Sequence, residues 1–208
     1  MNKIIKLIIL ILLSLSVFYI YNDTKKSNRK ILVLGDFLSK QNNNYLDYFN
    51  QIQLSNNRKI TINKKYIQED LTIHETLLLL KQPSLKKDLL ESHFLIINLG
   101  LNDYLYKITL KEKHITSNNP LEEEQIELTK LLKEIKKYYK NTILVIGYPK
   151  TENKIDNIYR DRVNTILKEK EIIYLDTYHL IDNSLSYTDQ NKQISIRLEK
   201  ILEKEQII

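Results

Sequence analysis

No cysteine occurs in the chain, which excludes disulfides, thiolate metal sites and a lipid-modified amino-terminal cysteine. The same lack suits an exported protein that needs no oxidative folding. Glycine and proline number only three each, so the usual turn punctuation is thin. Charge of one sign is scarce too: the formal net charge of +6 falls to +4 when Lys3 and Lys6 are set aside, against 26 acidic residues. A surplus that small gives no ground for a nucleic-acid partner. His74, His93 and His114 have no Glu or second His at ligand spacing, so neither a metal site nor a cofactor is expected. No internal repeat interrupts the 208 residues, a length that fits one domain with a substantial core and a short appendage.

One long apolar run is present. Residues 1–21 place Lys3 and Lys6 ahead of a stretch that only Ser14 and Ser16 interrupt. From Ile4 to Tyr21 this is about 27 Å of helix, close to the ~30 Å hydrocarbon core of a bilayer. Phe18, Tyr19 and Tyr21 cluster where an interfacial aromatic belt would lie. A retained membrane anchor is preferred to a cleaved signal peptide, because the small-x-small site Ser14-Leu15-Ser16 sits inside the apolar run. A buried helix of a soluble domain is the third reading. Lys25, Lys26, Arg29 and Lys30 crowd the other flank, so the positive-inside rule does not settle orientation. The expected organisation is an anchor or signal segment over 1–21, a polar linker over 22–29 and a folded domain over 30–208.

Within that domain, Ile31 to Leu34 run straight into Gly35-Asp36, the signature of a strand buried on both faces. Comparable runs occupy His93 to Leu99, Thr142 to Tyr148 and Glu171 to Asp176, and Lys59 to Ile62 suggests a short fifth strand. Helical spacing marks Tyr45 to Ile52, Leu71 to Leu80, Leu85 to Leu90, Glu122 to Tyr139, Ile155 to Leu167 and Gln190 to Glu205. Residues 111–119 read as a polar loop. Strands alternating with helices imply an α/β fold, a mostly parallel sheet between two helix layers. In such sheets ligands bind beyond the carboxyl ends of the strands, which directs attention to Gly35, Asp36, Phe37 and Ser39 and to Gly100-Leu101-Asn102-Asp103.

These two blocks resemble the signature of the SGNH (GDSL-type) esterase and acylhydrolase family. The resemblance covers roughly residues 30 to 205 and implies a three-layer, flavodoxin-like α/β/α domain. It implies that Asn102 is the oxyanion donor, a role that suits a rigid neutral amide, and that Asp103 shapes its loop. It also exposes losses. Phe37 stands where the family carries its nucleophilic serine, and a benzyl side chain cannot attack a carbonyl. The second block aligns best at Asp70-Leu71-Thr72, with Asp70 in place of a glycine. The last block, normally Asp-x-x-His before the final helix, falls in the stretch from Asn183 to Leu198. Asp189 is there, but no histidine is.

Three functions are open on this reading. The first is a catalytically impaired member, held outside the cytoplasm by its anchor as family members commonly are, and binding an envelope glycan, a lipid or a protein partner. The second is a working ester or O-acyl hydrolase with Ser39 as displaced nucleophile and His179 as displaced base. The third is a structural or assembly module. A pocket bordered by Phe37, Asn102 and the Asn183–Asp189 loop would distinguish the first from the third.

Overall fold

In β1, Ile31 and Val33 face one way while Leu32 and Leu34 face the other, and all four are buried. Both faces of the strand are therefore covered, as its unbroken apolar run requires. The computed structural model describes residues 9, 11–18, 28–36, 44–56, 59–114, 119–151, 153–168, 172–182 and 184–205. Among these, no helix is long and apolar enough to cross a membrane. Residues 11–18 are helical, and every one of them is exposed.

From β1 (Asn28–Gly35) the chain passes through α1 (Tyr45–Ser55) to β2 (Lys59–Ile67), then through α2 (Ile73–Leu79) and α3 (Pro83–Glu91) to β3 (Phe94–Asn98). Next come α4 (Leu101–Glu112), α5 (Pro120–Tyr138), β4 (Thr142–Ile146), α6 (Lys154–Lys168), β5 (Ile173–Leu175), α7 (Thr177–Leu180) and α8 (Tyr187–Lys204). The sheet order is β2-β1-β3-β4-β5, and every neighbouring pair is parallel. Strand order reverses between β1 and β3, where a doubly wound sheet opens its ligand crevice. Tyr45, Leu46 and Phe49 of α1 pack with Ile194, Leu198 and Leu202 of α8 on one face of the sheet. Residues of α2 to α6 cover the other.

Several elements differ from their expected bounds. Asn28 and Arg29, expected within the linker, already belong to β1 and pair with Lys59 and Ile60. β2 runs on to Ile67 with mixed burial, as befits an edge strand. Residues 101–112 form a helix that the sequence left unassigned over 101–110 and read as loop at 111 and 112, so the Gly-x-Asn-Asp block opens α4. The final helix begins at Tyr187, because Ser186 caps it by accepting from the Asp189 N–H.

Candidate active-site region

β1 delivers Gly35 and Asp36 to the carboxyl edge of the sheet, at the reversal of strand order. The Asp36 N–H donates to the Asn98 carbonyl at 3.0 Å, and the Gly35 carbonyl accepts from Gln68 at 3.1 Å. Asp36 is fully buried, and its carboxylate accepts a short hydrogen bond from the Tyr148 hydroxyl. That hydroxyl also accepts from the Leu101 N–H at 3.3 Å. Burial, and then the charge of Asp36, push the Tyr148 pKa well above its ordinary value, so the phenol keeps its proton. Asn98 adds a rung from β3 by donating to the Ile146 carbonyl at 2.9 Å. Buried polar bonds thus join the ends of β1, β3 and β4.

The Gly100–Asp103 block is fixed from several sides. Gly100 has φ +118°, and a Cβ there would lie 2.9 Å from Glu124 Oε1. A residue without Cβ is what that turn and that approach require. The Asn102 amide donates to the Glu69 carbonyl at 3.1 Å, and the Asp103 carboxylate accepts from the Ile73 N–H at 3.0 and 2.9 Å. Two adjacent side chains of α4 therefore hold the segment that leads into α2. Asp70 lies in that segment, exposed.

Beneath this turn lies a charged cluster. The Lys107 ammonium donates to Glu124 at 2.7 Å and to Glu127 at 2.6 Å. Oxygens of Asp103, Glu124 and Glu127 lie within 4.8 Å of one another, and the ammonium supplies the cation such a trio needs. Burial, then the charge of Asp103, raise Glu124 to about 8, and burial raises Asp103 to about 6. Burial pulls Lys107 down, but its bonds to Glu124 and Glu127 outweigh that and carry it above its usual value. At neutral pH the charged lysine therefore sits beside a protonated Glu124 and an ionised Asp103. The sequence reading passed over Tyr148, Asn98 and Lys107. Only Lys107 left a trace, one helical turn after Asp103.

Phe37 and Ser39 fall outside the described residues, as does Asn183. His179 sits on α7 with its side chain 60% exposed and Nδ1 3.0 Å from Asp176. Together they line a groove of about 380 Å³ with Asp161, Asn164, Thr165, Lys168 and Tyr174, to which no residue of Gly100–Asp103 contributes. Asp189 is no loop residue. It lies in the first turn of α8, accepting from Ser186 at 2.7 Å and from Lys192 at 3.2 Å. Those two bonds hold its pKa below the ordinary carboxylate value. Among the described residues no hydroxyl is hydrogen-bonded to an imidazole.

No family model matches the sequence, and no curated protein sequence matches it. Solved structures do. A lipase from a goat rumen metagenome superposes with a TM-score of 0.63 at 15% identity, covering 83% of this chain and 96% of that one. A lipase/acylhydrolase from Enterococcus faecalis gives 0.59 at 12% identity over 85% and 96%. An acetylxylan esterase from Geobacillus stearothermophilus, solved as a catalytic mutant, gives 0.59 at 16% identity over 83% and 93%. The chain has the SGNH-hydrolase fold. Likeness at this identity speaks for architecture; in this chain the blocks Gly35-Asp36 and Gly100–Asp103 fall at the ends of β1 and β3.

Proposed function

We propose that this chain is a membrane-tethered SGNH-hydrolase-like domain, displayed outside the cytoplasm, that has lost the serine mechanism and binds a ligand or partner of the cell envelope. The observation that carries this reading is Phe37, a benzyl group directly after Gly35-Asp36, where that mechanism needs a hydroxyl. The surrounding polar groups support it. Asp36 is bonded to Tyr148, Asn102 to the Glu69 carbonyl and Asp103 to the Ile73 N–H, all contacts that hold the scaffold. The imidazole of His179 is paired on its own helix with Asp176, lining a different groove. The tether is supported by residues 11–18, a helix apolar but for Ser14 and Ser16 whose side chains are exposed, an arrangement that water disfavours and lipid accepts.

The test is an esterase assay with short-chain acyl esters on the full chain, alongside Ser39→Ala and Phe37→Ser. Hydrolysis no faster than buffer is expected of all three, since Phe37→Ser restores a nucleophile but no base. Turnover by the natural sequence that disappears in Ser39→Ala would establish a working hydrolase and dismiss the present reading.

A further inference from the structure

We propose that the amino-terminal edge of the sheet, opposite the crevice, is a docking face for the anionic headgroups of the bilayer that holds the tether. The inference rests on the tether proposed above and adds which side of the domain meets the lipid, and by what chemistry.

Topology collects the charge. In a parallel βα fold every covering helix runs against the strands, so helix carboxyl ends gather where the strands begin. Exposed lysines stand there: Lys59 opens β2, Lys136 and Lys137 close α5 with Lys140 just beyond it, Lys168 closes α6 and Lys204 closes α8. Glu134 pairs with Lys137, and Glu91 with Lys30, while Glu203 and Glu205 stand near the end of α8. Cations remain in excess. A groove of about 450 Å³ joins the end of α5 to the starts of β4 and β5, lined by Lys136, Tyr139, Lys140 and Glu205 among others. The half-buried His93 reports the local field, because burial and then the positive charges of Arg29 and Lys30 hold its pKa below the ordinary value. The opposite edge is acidic by the same logic, with Glu75, Glu122, Glu123 and Asp189 in first helical turns.

Two further observations point to lipid. Leu90 is 68% exposed and Leu54 65%, more than any other large apolar side chain of the described residues from 28 onward. Leu54 lies in the last turn of α1 and Leu90 in that of α3, the helices that lead into the two neighbours of β1. Exposed leucines on the same edge as a set of lysines are what an interfacial contact uses. The tether also enters at this edge. Only residues 22–27 separate Tyr21 from β1, and that length spans at most about 25 Å when fully extended. A domain held so close presents the edge from which its linker emerges.

The chain lacks cysteine, so single-cysteine probes report cleanly. The full chain is reconstituted into nanodiscs of phosphatidylcholine, or of phosphatidylcholine mixed with phosphatidylglycerol, each doped with a headgroup nitroxide. A fluorophore is placed at Ser55→Cys on the proposed face or at Lys154→Cys on the opposite edge. Quenching is expected at Ser55→Cys in anionic discs, with the Lys154→Cys probe unquenched. In 1 M salt, where the screening length falls to about 3 Å, the Ser55→Cys quenching is expected to disappear. Lys136→Gln, Lys137→Gln and Lys140→Gln are each expected to lower the docking equilibrium constant about fivefold. Equal quenching in both lipids, or stronger quenching at Lys154→Cys, overturns the docking face and leaves the tether standing. A chain that does not enter the discs at all overturns both.

Discussion

At the scale of single residues, Gly100 is the most constrained position in the candidate site. Its φ of +118° lies where a side chain is strained, and the added Cβ would meet Glu124 Oε1 at 2.9 Å. Gly100→Ala is therefore expected to destabilise the fold by about 2–3 kcal/mol, measured as a lower urea midpoint with an unchanged slope. A change within a few tenths of a kcal/mol would mean that the turn relaxes freely. Gly100 and Asn102 were legible in the sequence because the block that contains them is contiguous. Tyr148 was not. Its partner Asp36 lies 112 residues away, and nothing local to a buried strand's end distinguishes a tyrosine that packs from one that bonds a carboxylate. Asp189 misled for the opposite reason. It fits a motif by type and place, yet its oxygens serve the cap of α8.

At the scale of elements, what could be read followed burial. The runs behind β1, β3 and β4 are apolar on both faces and could be read directly, whereas β2 at the sheet edge alternates unevenly and showed only its first half. α4 escaped notice because its inward face carries Asp103 and Lys107 beside Leu101 and Tyr104, so no apolar stripe announces it. Those polar residues are what tie α4 to its neighbours. Asp103 reaches the first N–H of α2, a donor that the Thr72–Glu75 capping box does not satisfy. Asp103→Ala leaves that N–H without its acceptor, at a cost of about 1–3 kcal/mol. Hydrogen exchange is expected to quicken at Ile73 and through the Gln68–Leu71 turn while β1 and β3 keep their protection. Uniform acceleration across the sheet would instead mean that Asp103 supports the whole fold rather than this loop.

At the scale of the whole molecule, the cluster beneath the turn makes global stability depend on pH. Glu124 rises from 4.5 to about 8 and Asp103 from 3.8 to about 6, each chiefly through burial. A carboxyl whose folded pKa is raised keeps its proton in the native state after the unfolded chain has released it. Stability is then greatest below about pH 4.5 for these groups and falls as pH rises through the folded values. The carboxylates of Glu91, Glu134, Asp182 and Asp189 are shifted downward, so their contributions are lost only at lower pH, outside this window. His93, shifted downward chiefly by burial, gains stability as pH rises toward 6.5 and opposes the trend slightly. The net expectation is a decline on the order of 5 kcal/mol between pH 5 and pH 9, followed by urea unfolding across that range. Glu124→Gln keeps the shape and the neutral state that Glu124 holds near neutrality, and leaves Lys107 paired with Glu127. Its stability should match the natural sequence below about pH 4.5 and exceed it progressively from there up to pH 9. If the two profiles run in parallel, the protonated Glu124 is not what sets the slope, and Glu124 is then ionised beside Lys107 across this range.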